Sequence, residues 1–156
     1  MPHIALVSTF DALALDEDMP PLVEALVRLG ATVSTPCWDD AAVDWSAFDL
    51  AVLRSTWNYV ERIDEFRAWT RQCAQQTRLF NRPEVVDWNT DKHYLAHLQC
   101  AGVPVVPSRF VEPGENPQAA LQHFLAGGAD SLSAGRAAAF DQFVIKPSIG
   151  AGSRDT

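Results

Sequence analysis

Residues 48–59 read FDLAVLRSTWNY, an apolar run that ends abruptly in polar side chains. Residues 48–53 predict a buried strand, because a short run of Leu, Ala and Val is typical of strands that are covered on both faces. Residues 63–73 then place apolar side chains at helical spacing. A buried strand followed by a helix is the repeating unit of a parallel α/β sheet.

The N-terminal segment shows the same alternation. Residues 3–8 predict a strand, residues 20–29 a helix that ends before Gly30, and residues 31–34 a second short strand. Strands that alternate with helices favour parallel pairing through right-handed crossovers. We therefore predict an α/β fold in which residues 1–88 form a small Rossmann-like layer, with ligands at the carboxyl ends of its strands.

A second unit is predicted to follow, over residues 89–156. An extension of the first sheet by these residues stays open as an alternative. The predicted elements are a helix capped by Asn89 or Thr90 and ended by Gly102, a strand that runs as far as Val111, a helix over 117–125, a loop over 127–135 and a strand over 143–146.

The composition argues against several functions. The net charge is -8 and the 12 Lys and Arg residues are scattered, whereas nucleic-acid surfaces need dense positive charge. No apolar run is long enough to cross a membrane, and the apolar stretch of residues 4–7 is too short for the pattern of a signal peptide, so we predict a cytoplasmic protein. The three cysteines lack metal-site spacing and are expected to be buried, reduced thiols.

Two common nucleotide-binding motifs are missing. Residues 8–12, after the first strand, contain no glycine, which disfavours the dinucleotide-binding fingerprint. No P-loop sequence occurs either. Any phosphate site in this chain must therefore be of another type.

The polar residues that follow the third strand are candidates for ligand binding. Arg54, Ser55 and Thr56 lie where an open parallel sheet binds its ligands, and a guanidinium there suits a carboxylate. The alternative is that Arg54 pairs with a nearby surface acid while Trp57 covers the end of the sheet. Position alone leaves the two interpretations open.

Acidic and histidine clusters have simpler explanations. Asp16 and its two acidic neighbours precede a helix, where negative charge complements the helix dipole, although a substrate role stays open. His93 and His97 are four residues apart but lack the glutamate of a metalloprotease helix. We interpret them as surface histidines.

The segment after residue 142 indicates a phosphate site. Lys146 ends an apolar run, and a loop of small residues follows Pro147, so an ammonium and backbone N–H groups can converge on an anion. The candidate ligands in that loop are Ser148, Gly150, Gly152 and Ser153.

Five segments together resemble the ATP-grasp superfamily. The segments are residues 54–57, 81–83, 89–92, 102–104 and 144–156. Residues 15–18, 43–45 and 54–57 make the chain most similar, within this superfamily, to the glutathione-synthetase-like group that includes the O-ureido-serine cyclo-ligase of D-cycloserine biosynthesis.

The resemblance implies a pre-ATP-grasp domain over residues 1–88, followed over residues 89–156 by the first part of an ATP-grasp lobe. It implies that Lys92 and Lys146 contact the phosphates of ATP while the loop closes over them. Arg54 becomes the candidate for a substrate carboxylate, and Arg154 a second one. The ligands of Mg²⁺ are expected beyond Thr156.

The implied reaction is ATP-dependent ligation of an amino-acid-like substrate through an acyl phosphate. We expect this chain alone to be inactive. Its expected partners are ATP and the amino-acid-like substrate. We also expect that the chain can self-associate. The alternatives are a non-catalytic module that binds a small ligand or a partner protein, and an enzyme whose second lobe is supplied by another subunit.

Overall fold

The computed structural model describes residues 1–126 and 143–150. The chain divides into two compact units, Met1–Thr90 and Asp91–Thr156. The assignment of these units to domain types stays a prediction.

The first unit contains a four-stranded parallel sheet with the strand order β2-β1-β3-β4. Ala5 of β1 lies opposite Ser34 of β2 on one side and Ala51 of β3 on the other. The predicted α/β class with parallel strands is confirmed, while β4 was missed because only three residues form it. The strands are β1 (His3–Ser8), β2 (Thr32–Ser34), β3 (Leu50–Ser55) and β4 (Arg78–Phe80).

Four α-helices connect and follow these strands. The second and third of them match the helices predicted over residues 20–29 and 63–73. The fourth helix was not predicted, and it begins with a proline in its first turn. Two short 3₁₀ turns, Trp45–Ala47 and Trp57–Glu61, flank β3. The helices are α1 (Phe10–Leu13), α2 (Met19–Arg28), α3 (Ile63–Gln76) and α4 (Pro83–Asn89).

Aromatic side chains form much of the core of this unit. Phe66 of α3 packs edge-on against Trp38, with ring centroids 5.2 Å apart, and Trp69 packs against Trp45 at 5.1 Å. Burial raises the pKa of the neighbouring Cys73 thiol to about 12, so this thiol stays protonated. The expectation of buried cysteines holds for Cys73 but is wrong for Cys100, which is exposed.

The second unit contains α5 (Tyr94–Cys100) and α6 (Pro117–Leu125), and α6 matches its predicted bounds. The helix α5 begins after His93, whereas Asn89 and Thr90 belong to the end of α4. The predicted cap was therefore wrong.

The two strands predicted for this unit are also wrong. Residues 103–112 and 143–147 form no strand in the described part of the chain. A strand needs a paired neighbour, and the apolar side chains of Val106, Val144 and Ile145 are largely exposed rather than packed. The predicted loop over 127–135 lies outside the described residues.

Within residues 1–126 and 143–150, no helix has the length and apolar character that crossing a membrane requires.

Candidate functional site

The carboxyl ends of β1 and β3 meet at one edge of the sheet. The register places Ser8 beside Ser55, and the Ser8 hydroxyl lies 3.4 Å from the carbonyl oxygen of Ser55, to which it donates. Thr9 follows directly and caps α1, since its hydroxyl accepts from the backbone N–H of Ala12 at 3.3 Å. Small hydroxyl side chains therefore line the interior of this edge.

Asp16 lies between α1 and α2 and turns its carboxylate toward β3. One carboxylate oxygen is 2.8 Å from Nη2 of Arg54, and the other accepts a hydrogen bond from the hydroxyl of Ser55. The Asp16 side chain is only 3% exposed. The Asp16 carboxylate is therefore used by β3, and it also accepts a hydrogen bond from the backbone N–H of Asp18, at the start of α2.

The electrostatics keep Asp16 ionised. Burial acts to raise the pKa of its carboxyl, but the hydrogen bonds from Ser55 and Arg54 and the positive charge of Arg54 outweigh burial, and the pKa is lowered. The carboxylate and the guanidinium thus form a charge-balanced pair at the sheet edge. Ser55 is buried and its hydroxyl proton is used by Asp16.

Arg54 keeps part of its hydrogen-bonding capacity. Its side chain is 33% exposed, and the single nitrogen Nη2 serves both Asp16 and, at 3.4 Å, the exposed Asp18. The buried Nε has no hydrogen-bond partner among the described residues. Arg54 therefore pairs mainly with a buried acid rather than with the surface acid of the alternative interpretation, and it still has donors for an anionic ligand.

The segment that follows β3 is fixed by a second set of contacts. Nε1 of Trp38 donates to the side-chain oxygen of Asn58 at 2.7 Å, and the guanidinium of Arg62 lies 5.0 Å from the centre of the Trp38 ring. Arg62 also pairs with Asp39 at 2.8 Å. Trp57 itself remains partly exposed rather than covering the end of the sheet.

In the second unit, Lys92 is bound by a backbone turn. Its Nζ donates to the carbonyl oxygens of Pro147 at 2.8 Å, Ser148 at 3.3 Å and Gly150 at 3.3 Å. Its backbone N–H also donates to the carbonyl of Ser148, at 2.8 Å. The structure thus brings together three of the predicted phosphate-site residues, Lys92, Ser148 and Gly150.

The predicted pair of lysines is close enough to interact. Burial and the positive charge of Lys146 lower the pKa of Lys92, while Asp91 acts in the opposite direction. Gly150 is needed for steric reasons, because an added Cβ would lie 2.8 Å from Cγ of Pro147. Gly152, Ser153 and Arg154 lie outside the described residues.

His93 lies between two acids. Its Nδ1 is 2.5 Å from Asp91 and its Nε2 is 3.1 Å from Glu112, while its ring stacks on Phe110. The hydrogen bond to Asp91 raises the pKa of His93, burial opposes this, and Glu112 adds to it. No group of three or more His, Cys, Asp or Glu suited to a metal ion occurs within residues 1–126 and 143–150.

Comparison with known proteins identifies the family of the chain. Residues 4–81, half of the chain, match the family described as D-cycloserine synthetase DcsG, N-terminal domain. The chain belongs to this family.

A curated relative and a solved structure agree with the DcsG assignment. The chain is 40% identical over 152 residues to the cycloserine biosynthesis protein DcsG of Streptomyces lavendulae, covering 97% of this chain and 48% of that protein. A crystal structure of D-cycloserine synthetase DcsG matches with a TM-score of 0.73 and 43% identity, covering 80% of this chain and 42% of the other. The chain thus spans about half the length of the curated relative.

The DcsG family match covers the sheet edge and stops before the Lys92 turn. Arg54 and its two neighbours were found from their position after an apolar strand, which is a general signal in parallel sheets. The pairing of Asp16 with Arg54 was not predicted. An acid in a loop before a helix can serve several structural roles, and Arg54 is 38 residues away in the sequence. Only the folded chain shows that pairing.

Proposed function

We propose that this chain is the N-terminal portion of an ATP-dependent ligase or cyclo-ligase, of the type that closes O-ureido-serine to cycloserine through an acyl phosphate. Membership of the DcsG N-terminal family and the similarity to a cycloserine biosynthesis protein and to a D-cycloserine synthetase support this proposal. Because the chain spans about half of the curated relative, the activity is proposed for the whole enzyme and not for these 156 residues alone.

The observation that carries the substrate class is the environment of Arg54. A buried, ionised Asp16 holds Nη2 of the guanidinium, and one third of the Arg54 side chain remains exposed to a ligand. Arginine donors suit a carboxylate, because the fork of N–H groups matches its two oxygens. An amino-acid-like substrate would therefore place its carboxylate on Arg54, with Thr56 beside it and Ser55 acting through Asp16.

The proposed cofactors are ATP and Mg²⁺, held by an ATP-grasp lobe that follows a Rossmann-like pre-ATP-grasp domain. Lys92 and Lys146 place two positive charges beside a turn of small residues, which fits a polyphosphate. Gly152, Ser153 and Arg154 complete the proposed site. When bound, ATP with its metal supplies the phosphoryl group that activates the substrate carboxylate.

The chemistry that this chain contributes is positioning and electrostatics. Arg54 orients the amino-acid carboxylate, and Asp16 restricts the guanidinium to one direction. The lysines neutralise negative charge on the phosphates. We place the reaction in the cytoplasm, and self-association of the chain stays a prediction.

Calorimetric titration of the purified chain with O-ureido-serine tests the substrate site. We expect Arg54→Gln to weaken binding by about tenfold or more, because a hydrogen-bonded charge contact is lost. The matched control is Arg28→Gln, since Arg28 pairs with Glu24 on the exposed face of α2 and is not part of the sheet edge. Equal affinities of the wild type and Arg54→Gln would contradict the assignment.

A second titration separates this proposal from a non-catalytic binding module. An enzyme portion should bind ATP through Lys146, so Lys146→Met should weaken ATP binding. A binding module should take the amino acid and ignore ATP. Sustained ATP-dependent product formation by the chain alone would contradict the proposal that it is only a portion of the enzyme.

A further inference from the structure

We infer that Lys92 is a positioning residue whose ammonium group holds residues 147–150 in their turn, and that a polyphosphate anion must compete with the turn for this group. The first half of this inference concerns the chain without ligand. The second half rests on the proposed use of ATP.

The hydrogen-bond geometry leaves the ammonium no spare donor. A lysine ammonium has three N–H donors, and Nζ of Lys92 has three carbonyl acceptors in this turn, at 2.8, 3.3 and 3.3 Å. A phosphate oxygen that bonds to Nζ must therefore displace at least one carbonyl. The two longer contacts, to Ser148 and Gly150, are the ones expected to break first.

Among residues 1–126 and 143–150, the contacts of residues 91 and 92 are the main attachment of the turn. Residues 143–147 form no strand, and Val144 and Ile145 leave about two thirds of their surface exposed. The backbone N–H of Lys92 donates to Ser148, and this bond belongs to the isolated antiparallel bridge between Asp91 and Ile149. Residues 91 and 92 thus supply both the backbone and the side-chain attachment of the turn.

The charge of the site favours exchange toward an anion. The ammonium of Lys92 is partly buried and feels the positive charge of Lys146, and its carbonyl partners carry no net charge. A phosphate offers charged acceptors, so the attraction of opposite charges adds to the hydrogen bond, whereas a carbonyl offers the hydrogen bond alone. An anion between the lysines would also reduce their mutual repulsion.

NMR of the full chain tests the first half. The amide of residue 92 donates to Ser148 and so reports whether the turn is intact. We expect Lys92→Met to lower the hydrogen-exchange protection of this amide by about tenfold or more. The control Lys146→Met should leave it within about twofold, because no hydrogen bond of the Lys146 side chain to the turn is present in the described part of the chain.

Lys92→Arg separates charge from geometry. A guanidinium is planar and cannot direct its donors at three carbonyls as an ammonium does, so protection should still fall. Full protection in Lys92→Arg would overturn the geometric half of the inference. Full protection in Lys92→Met, or an equal loss in Lys146→Met, would overturn the whole of it.

Tripolyphosphate, added without metal, tests the competition. We expect the ¹⁵N signal of the Lys92 ammonium to shift as the protection of the residue 92 amide falls, with both changes saturating together. A shift at Lys146 with unchanged protection at residue 92 would show that phosphate binds without competing, and would overturn the competition. Absence of any lysine shift would count against both the competition and the proposed ATP site, while the Lys92→Met result would still decide the role of Lys92 in the turn.

Discussion

Two cations in this chain are held in contrasting ways. Arg54 lies at the carboxyl end of the central strand β3 and is fixed by the side-chain carboxylate of the buried Asp16. Lys92 is fixed by backbone carbonyls of an irregular turn. A carboxylate cancels the charge of its partner, whereas carbonyl groups carry no net charge and leave the full charge of the ammonium available to an anion. The carboxylate of Asp16 therefore orients the donors of Arg54. The carbonyl groups around Lys92 leave its positive charge uncompensated.

The two supports also differ in packing. The sheet that carries Arg54 lies over a buried aromatic core, which includes Trp38, Phe66 and Trp69. In the described part of the second unit, Ala120, with 8% exposure, is the buried apolar side chain. Arg54 therefore has a rigid base, while Lys92 relies on a few polar contacts.

The largest expected effect comes from weakening that base. Phe66→Ala removes a buried ring that contacts Trp38, Tyr59 and Trp69. We expect the free energy of unfolding of the first unit to fall by about 3–5 kcal/mol, measured by urea denaturation followed by circular dichroism. Phe10→Ala is the control, because Phe10 is 83% exposed, and should change it by less than about 0.5 kcal/mol. Equal losses would mean that the aromatic core does not support the sheet.

A smaller effect is expected from Asp16→Asn, which removes the charge that holds Arg54. We expect a loss of about 1–2 kcal/mol in the free energy of unfolding, because Arg54 is one-third exposed and water partly replaces the lost partner. Asp18→Asn is the matched control. Because Asp18 is 88% exposed, this substitution should lower the free energy of unfolding by less than about 0.5 kcal/mol.

The pH dependence of this variant gives an independent check. The pKa of Asp16 is lower in the folded chain than its ordinary value of 3.8. The contribution of Asp16 to the free energy of unfolding is therefore complete above pH 3.8 and is lost as the pH falls through the folded pKa. The stability difference between the wild type and Asp16→Asn should therefore be constant at neutral pH and shrink in acid. A difference that grows in acid would contradict the ion pair.

The smallest effect concerns His93, whose contacts with acids help to stabilise the second unit. The pKa of His93 is raised above 6.5. The contribution of His93 to the free energy of unfolding is therefore complete below pH 6.5 and is lost as the pH rises through the folded pKa. NMR titration of the imidazole should show a midpoint above 6.5. Asp91→Asn should lower this midpoint more than Glu112→Gln, because the Asp91 contact is shorter. The reverse order would place the main partner at Glu112.

The elements that could be predicted from sequence are those with strong periodicity. The buried strands β1 and β3 and the amphipathic α3 followed directly from their apolar spacing. The edge strand β4 did not, because three residues carry no period. The strand expected over 143–146 failed for a different reason: an apolar run predicts a strand only where a partner strand exists to pair with it.

The candidate sites show the same limit. The position of Arg54 at a strand end was predictable from topology, and so was the grouping of a lysine with a small-residue loop. The partner of each cation was not, since Asp16 is 38 residues from Arg54 and the turn is 55 or more from Lys92. Such pairings depend on the tertiary fold, and spacing along the chain does not encode them.

The placement of the aromatic residues has an optical consequence. All five tryptophans, at positions 38, 45, 57, 69 and 88, belong to the first unit, Met1–Thr90. Indole emission from this protein therefore reports on one unit alone. A probe placed in the second unit, such as a fluorophore on the exposed Cys100, would report on the other, so unfolding of the two units can be recorded separately in a single sample.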